Sequence, residues 1–326
     1  SALKILLVIN KTYPRPEGSR IDGGYWSVYL PLQSLGHQVY FYDTVNPIQK
    51  DFSKVVETFK PDLIFCCMTG DPSLTPYEPW EEIREETESG RTKTFNWFCD
   101  DTWRFAKFSS KACKFFTACS TPEKDFLDEY RKIGYNNIML GMWHTNIDLY
   151  PSVSDKRYDM SFIGNKNNQR IMMENLFKQN NLNVEFFSGL SHEDMLIAHS
   201  RSKIGLNFSM NTNSTPPRTQ MKARMFEVPA ARTLLLTEHH DGIEEYFEVN
   251  KEIITFKSEY EMLDGWPIGP HNSVSYLPAG IGTGATPNNQ ENLTGTKGYD
   301  KWIKSMTSVA TEVGFELMKF SKKDKD

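Results

Sequence analysis

Three charged residues in one short stretch carry the first hint of chemistry: Lys222, Arg224 and Glu227 in "KARMFEVPAARTLLLTEHHDGIEEYF" (222–247). A basic, helix-compatible start passes through small residues into a run of leucines. It closes on Glu238, His239, His240 and a second short helical pattern. The polar loop "NTNSTPPRTQ" leads in and adds Arg218, Thr219 and Gln220. A loop entering a helix offers free backbone N–H groups and the positive end of the helix dipole, and both favour a phosphate. Arg218, Lys222 and Arg224 bring formal positive charge to the same turn. Glu227 lies more than one helical turn beyond Lys222, so its carboxylate reaches a different part of the same ligand. Carboxylates accept bonds from vicinal hydroxyls such as those of a ribose. These residues are what a nucleotide-diphosphate site needs. An amphipathic helix with a charged outer face fits the same spacing, and spacing alone does not choose between the two.

The elements that must position these residues follow a regular alternation. "LKILLVIN" (3–10) is a short apolar run without helical period, the pattern of a buried parallel strand. Further strand patterns are "HQVYFYD" (37–43), "DLIFCCM" (62–68), "TKTFNWFCDD" (92–101) and "NNIMLGMWH" (136–144). Helical patterns fall near 24–35, 51–59 and 79–89. "ACKFFTACS" (112–120) reads as a further strand-like run, followed by a helix opened by Thr121-Pro122-Glu123 with proline in its first turn. After a polar linker, "NIDLYPSVSDKR" (146–157), a second series begins at "YDMSFIG" (158–164). It continues with a helix near 167–180, strand "NVEFFSG" (183–189), helix 192–203, strand "IGLNFSM" (204–210), the opening stretch and "KEIITF" (251–256). Strands and helices alternating in this way build right-handed βαβ units and parallel sheets. The expected organisation is two doubly wound α/β domains, 1–150 and 151–298, with the default ligand site in the cleft between them. Residues 265–298, rich in Gly, Pro, Asn and Thr, break the rhythm as a flap or a surface insertion. A helix with a lysine-rich tail is expected over 299–326.

Bulk composition narrows the class. The chain has 326 residues, 39% hydrophobic and 13% aromatic, which suits a globular protein of two domains. A formal net charge of −5 speaks against a sequence-independent grip on nucleic-acid backbone, without excluding nucleic acid as a partner. No apolar run approaches the roughly 20 residues of a membrane-spanning helix. The strand pattern at the N-terminus leaves no room for a signal peptide, so the expected compartment is the cytoplasm. Cys66, Cys67, Cys99, Cys113 and Cys119 show no metal spacing and read as small buried residues.

The segment 222–256 resembles the donor-binding region of GT-B glycosyltransferases, most closely the spore-maturation (CgeB-type) glycosyltransferase-like group. A basic residue, "FE", small residues, an apolar strand ending in Thr237-Glu238 and "GIEEYF" (242–247) stand in the order of that group. "YDMSFIGNKNNQR" (158–170), "NWFCDDTWRF" (96–105) and "GMWHTNIDLYP" (141–151) are similar to other parts of it. The likeness spans about residues 3–262. It implies two Rossmann-like domains with the nucleotide-sugar mostly on the second, and a last helix that crosses back to the first. It further implies that Glu227 holds the donor ribose, and that Thr219, Gln220, Met221, Lys222 and Arg224 face the pyrophosphate. Gly164 and Asn165 would line the same cleft, with Arg170 adding charge. The sequence also departs from the pattern. The first of the two glutamates that many retaining members carry eight positions apart falls on Thr219, and the expected glycine turn reads Ala230-Ala231-Arg232-Thr233.

On the acceptor side, "RIDGG" (20–24) follows the first strand, and its Asp22, Gly23 and Gly24, with Tyr25, allow close backbone approach to a sugar or phosphate. Asp100 and Asp101 end the fourth strand. Paired carboxylates raise each other's pKa, which suits one of them for proton transfer; a helix cap plus a turn reads equally well. His144 ends the last strand of the first domain, as a cleft residue or as a hydrogen-bonded structural one. His239 and His240 follow the strand after the donor helix, within reach of a transferred sugar. Tyr13, Tyr25, Trp26, Trp80, Trp103 and Trp143 cluster near strand ends, as sugar platforms or as core. The expected activity is transfer of a sugar from a nucleotide-diphosphate donor, taken as a UDP-sugar, to a glycan, protein, small molecule or modified nucleic-acid base. Retention is favoured, and neither metal nor cofactor is expected, since no internal Asp-x-Asp motif is present. The alternatives are a non-catalytic nucleotide- or sugar-binding module and a nucleotide-sugar epimerase.

Overall fold

The computed structural model describes residues 2–153, 155–258 and 261–262. The expected irregular segment 265–298 and the helix and tail over 299–326 lie outside the described residues. Two compact units emerge: one runs to Asn146 and takes in Asn213–Pro216, the other holds Ile147–Thr212 and the described residues from Pro217 onward.

The strands of the first unit are β1 (Lys4–Ile9), β2 (Gln38–Asp43), β3 (Leu63–Cys66), β4 (Lys93–Trp97), β5 (Ala118–Thr121) and β6 (Ile138–Leu140). They form one parallel sheet in the order β2-β1-β3-β4-β5-β6. Its helices include α1 (Leu30–Ser34), α2 (Phe52–Phe59), α3 (Trp80–Ser89) and α4 (Phe126–Lys132). β1 shows why the run is apolar throughout. Leu6 and Val8 point to one face, among Phe52, Val55, Ile83 and Tyr130 from α2, α3 and α4. Ile5, Leu7 and Ile9 point to the other, among Val28 and Leu32. A strand covered on both faces has no position for a polar side chain.

Several element boundaries differ from the sequence expectation. Strand 92–101 ends at Trp97, and Asp101–Ala112 is helical with a π-helical stretch at Phe105–Ser109. That helical segment was hidden because its apolar residues Phe105, Phe108 and Ala112 recur at helical spacing inside a short, strand-bounded window. Within "ACKFFTACS", Cys113–Phe115 continues as a 3-10 turn, and only Ala118 onward is strand. The helix expected from Thr121-Pro122-Glu123 begins at Phe126, because the Thr121 hydroxyl takes the Glu123 N–H and holds a turn there. "NNIMLGMWH" leaves the sheet after Leu140; the next carbonyl, that of Gly141, accepts from Trp97 Nε1 at 2.9 Å.

The second unit has β7 (Tyr158–Ile163), β8 (Val184–Phe187), β9 (Ser202–Asn207), β10 (Leu234–Glu238) and β11 (Ile254–Phe256), all parallel, in the order β8-β7-β9-β10-β11. Its helices are α5 (Asn168–Gln179), α6 (His192–Ser200) and α7 (Arg224–Ala230). α5 starts at Asn167, whose side chain accepts from Arg170 N, and α6 at Ser191, whose hydroxyl accepts from Asp194 N. α7 lies close on β9: a Cβ on Gly205 would fall 2.6 Å from Val228. The strand expected over 204–210 stops at Asn207. The polar loop after it is a small hairpin, with Met210–Asn211 paired to Arg218–Thr219. In both sheets the strand order reverses beside the first strand, so β7 and β9 flank the switch point of the second unit.

The expected linker is partly anchored. Lys156 Nζ donates to the Arg232 carbonyl at 3.0 Å and to Thr233 Oγ1 at 3.1 Å. Burial, then the nearby Arg232 charge, pushes its amine down to about 8 from the usual 10.5. Between those values the unfolded chain binds the proton and the folded one does not, so Lys156 makes stability rise with pH over that window. Urea unfolding at pH 8 and pH 10 should show this rise, and Lys156→Met should flatten it. An unchanged slope in the variant would remove Lys156 as its source.

Candidate functional site

The carboxyl ends of β7 and β9 meet at one side chain. Arg224, at the start of α7, donates from Nε to the Ile163 carbonyl at 2.7 Å and from Nη1 to Asn207 Oδ1 at 2.8 Å. Its guanidinium lies 4.4 Å from the Phe162 ring centre. A Cβ on Gly164 would stand 2.5 Å from Arg224 Nη2, so the glycine that follows β7 makes space for this arginine. Burial, then the neighbouring charge of Arg170, pushes Arg224 down to about 10, which leaves it charged at neutral pH.

Arg170, in the first turn of α5, lies over the same Phe162 ring at 4.8 Å and donates to the Asn165 carbonyl. Burial lowers its pKa as well. Among the described residues neither guanidinium makes a salt bridge with a carboxylate. Two like charges are thus held on one phenyl ring at the switch point, bonded only to carbonyl, amide and ring partners, while the Glu227 carboxylate acts on Arg224 through space. Such a pair is disfavoured unless an anion joins it.

Glu227, one turn beyond Arg224, faces α6. Its Oε2 lies 3.4 Å from Nε2 of His199, which is 1% exposed. Burial acts to raise this carboxyl, but His199, then Arg224 and His192, outweigh it and hold it below the usual range. Behind the pair runs a polar network. Asn207 Nδ2 donates to Thr237 Oγ1 at 2.9 Å and to Ser209 Oγ at 3.2 Å. Glu238 Oε2 accepts the backbone N–H groups of Ser209 and Met210 at 2.7 and 2.9 Å. The hairpin is tied down further by Asn211 Nδ2 to Gln220 Oε1 at 2.8 Å and by Thr219 Oγ1 against His240 Nδ1 at 2.9 Å. His239 lies apart from these, near Asp241 at 3.2 Å and Glu244 at 3.4 Å. Arg218 and Lys222 are half-buried and Asn165 is exposed.

Arg170, Gly164, Arg224 and Glu227 are therefore brought together, as are Thr219, Gln220 and His240 about the hairpin. Arg224 turns inward to the sheet. Sequence reasoning missed Phe162, Asn207 and His199. Asn207 was legible as a lone polar residue in the run "IGLNF", and His192 and His199 as two histidines two turns apart on one predicted helix.

In the first unit the two aspartates separate. Asp101 is 1% exposed, and its Oδ2 accepts from Tyr130 Oη at 2.7 Å. Its carboxyl is raised chiefly by burial, and the carboxylate that adds to the rise is that of Glu123, rather than its chain neighbour. Asp100 is half-buried beside Cys99. Asp22 accepts from Asn10 Nδ2 at 3.1 Å and follows a short hairpin, Thr12–Tyr13 with Arg20–Ile21, that the sequence pattern did not show. Gly24 is a packing glycine, since its Cβ would meet Ile9 at 2.5 Å, whereas Gly23 faces open space. Tyr25 packs edge-on against Trp26 at 5.0 Å. His144 lies beyond the end of β6, packed against Trp97 at 5.0 Å. Trp80 and Trp143 pack among aromatic rings, whereas Trp103 and Tyr13 are exposed.

The described residues contain no group of three or more His, Cys, Asp or Glu side chains placed to hold a metal ion, and no helix long and apolar enough to cross a membrane. Residues 150–266 match the glycosyl transferase-like family. Solved structures share the fold along nearly the whole chain. AviGT4, a glycosyltransferase involved in avilamycin A biosynthesis, is 10% identical over 97% of this chain and 96% of its own, with a TM-score of 0.56. Anabaena HepE in complex with UDP and glucose is 12% identical over 98% and 100%, with a TM-score of 0.55. Sucrose-phosphate synthase from Thermosynechococcus elongatus is 10% identical over 98% of each chain, with a TM-score of 0.54. No curated protein sequence matches the chain. The chain thus has the GT-B fold, two Rossmann-like parallel-sheet domains. Within it, residues 150–266 are the part that is similar to the glycosyl transferase-like family. These comparisons concern the GT-B group as a whole and leave the spore-maturation subgroup an expectation.

The contact between Gly164 and Arg224 supplies a direct test of the site's construction. Gly164→Ala should force the Arg224 guanidinium off Ile163 and Asn207 and destabilise the second unit by about 1–3 kcal/mol, the usual cost of overpacking. Chemical denaturation would measure it. A variant as stable as the parent would show that Arg224 is not fixed where the structure holds it.

Proposed function

We propose that the protein transfers a sugar from a nucleoside-diphosphate donor, taken as a UDP-sugar, to an acceptor, without a metal ion. The observation that carries this reading is the like-charged pair Arg170 and Arg224 over Phe162 at the switch point, with no carboxylate in a salt bridge to either among the described residues. A diphosphate neutralises both, and in the proposed reaction it is also the leaving group. Departure of the nucleoside diphosphate builds negative charge on its outer oxygens. Fixed cations that need no reorganisation stabilise that charge as it develops. Glu227 lies one helical turn from Arg224, where it would accept the ribose hydroxyls. Thr219, Gln220 and Lys222 supply neighbouring polar contacts, and Asn165 borders the site after Gly164. The choice of uridine draws on the HepE structure, which holds UDP and glucose. Retention is proposed from the sequence context of Glu227. On the acceptor side we assign Asp100, half-buried and unlike Asp101 not committed to Tyr130, with Asp22 and Gly23 at the end of β1. The acceptor class stays open among glycan, protein, small molecule and modified base.

A second reading, a binding module without turnover, is favoured by one feature. The position eight residues before Glu227 is Thr219, bonded to His240, in place of a carboxylate. Donor hydrolysis by the purified protein separates the two readings.

Thermal unfolding with a panel of uridine, guanosine, adenosine and cytidine diphosphates tests the donor site. At one hundred times its dissociation constant a ligand adds about 2.7 kcal/mol, a shift of several degrees for a unit of this size. UDP should give such a shift. Arg170→Met should weaken UDP strongly while leaving bare uridine nearly unaffected. If no nucleotide moves the wild-type transition, the donor reading is wrong. For the acceptor side, Asp100→Asn should lower sugar transfer by at least about tenfold and leave the UDP shift intact, within the range of general acid–base contributions. Undiminished transfer would return Asp100 to a structural role.

A further inference from the structure

The contact between α6 and α7 contains a buried side chain that the donor reading does not use. His199 sits in the last turn of α6, 1% exposed, with its Nε2 3.4 Å from Glu227 Oε2. Among the described residues neither of its ring nitrogens completes a well-formed hydrogen bond to another atom. An imidazole is costly to bury in this state, because an unpaired polar nitrogen loses its hydration without a replacement. Its backbone, by contrast, is firmly held: the His199 carbonyl accepts from Thr233 Oγ1 at 2.6 Å, and Thr233 Oγ1 also bonds the Ser202 carbonyl at 2.9 Å. The backbone that carries the ring is therefore held at a packed helix end, and the ring lies against one carboxylate.

Resting on the donor reading above, we propose that His199 is a positioning residue: it donates from Nε2 to Glu227 Oε2 and so turns the other carboxylate oxygen, Oε1, toward the ribose hydroxyls. The charged groups that act on this pair come from three elements. Arg224 lies one turn before Glu227 on α7, His192 lies two turns before His199 on α6, and Arg170 of α5 acts through Arg224. Lys156 approaches from the backbone side, through Thr233. Of these, only His199 touches the Glu227 carboxylate. A carboxylate free to rotate on its two terminal torsions has several ways to meet a diol. One whose first oxygen is tied has few, and it then discriminates between a ribose and a sugar that lacks one hydroxyl. Selectivity for ribose would thus be set by a residue that never meets the ligand.

Two substitutions of similar polarity separate this role from a purely structural one. In His199→Gln the side-chain amide nitrogen falls near the former Nε2 and still reaches Glu227. In His199→Asn it falls near the former Nδ1 and does not. The measurement is binding of UDP and of 2′-deoxyuridine diphosphate by calorimetry, with unfolding midpoints taken alongside. Wild type should prefer UDP about tenfold or more, the effect of one charge-assisted hydrogen bond. His199→Gln should keep that preference and His199→Asn should lose most of it, with similar midpoints in both. Equal preference in the two variants overturns the proposal, whether both keep it or both lose it. Should neither variant fold, nitrogen NMR of the wild-type histidines decides: His199 must carry its proton on Nε2, and a proton on Nδ1 alone overturns the assignment. The donor reading fails separately. Absence of any UDP binding by wild type removes both, whereas UDP binding with intact ribose preference in His199→Asn removes only the role of His199.

Discussion

The second unit is organised around one cation, Arg224. Arg224 joins the last carbonyl of β7 to the only polar side chain at the end of β9, so its guanidinium bridges the two strands that flank the switch point. A parallel sheet leaves its strand ends with unpaired backbone groups just where the chain reverses its winding. Arg224 satisfies one of them and reaches Asn207, which passes the bonding on to Thr237 and Ser209. Glu238 in turn fixes the backbone of Ser209 and Met210, from which the hairpin departs. Removing the arginine would leave two acceptors, the Ile163 carbonyl and Asn207 Oδ1, without this donor, each costing about 1–3 kcal/mol where it stays buried.

This arrangement explains otherwise unrelated features. Gly164 lacks a side chain because Nη2 of Arg224 occupies the place of its Cβ, and Phe162 is aromatic where two guanidiniums share its ring. The same construction keeps positive charge in place at neutral pH, with the Glu227 carboxylate acting on Arg224 through space rather than in a direct salt bridge. Buried ion pairs are usually closed within the protein, because leaving one partner exposed to low dielectric is expensive. Here neither arginine makes a salt bridge among the described residues, and Glu227, one turn along the helix, faces His199 instead.

The first unit repeats the strand order with different polar content. Beyond the end of its fourth strand, Asp101 opens a helix and is spent on Tyr130 in the core, while Asp100 before it stays half-buried. Glu78 accepts the backbone N–H groups of Thr69 at 2.5 Å and Gly70 at 2.8 Å, and Arg104 donates to the Thr69 carbonyl, so the loop after β3 is held by side chains. Burial raises the thiols of Cys67, to about 12, and of Cys99, so both stay protonated at neutral pH. No comparable pair of arginines over one ring occurs among the described residues of this unit.

The amino-acid pattern alone determined the class of the fold. Period-free apolar runs separated by helical ones require strands buried on both faces, and Leu6 opposite Leu7 on the two sides of β1 is the direct result. Charge placement also marked Lys222, Arg224 and Glu227 as the stretch to watch, since local spacing along one helix is readable from the chain. What lay beyond reach was whatever depends on partners far apart in sequence. The helix at Asp101–Ala112 and the hairpins at 12–21 and 210–219 were too short for their period to stand out. That Arg224 reaches the carbonyl of Ile163, 61 positions away, follows from strand order, which no local pattern encodes. Likewise Asp100 and Asp101 are equivalent as letters, and only the packing of Tyr130 divides them. His199 meets Glu227 because α6 and α7 lie side by side on one sheet, and that adjacency is a property of tertiary structure alone.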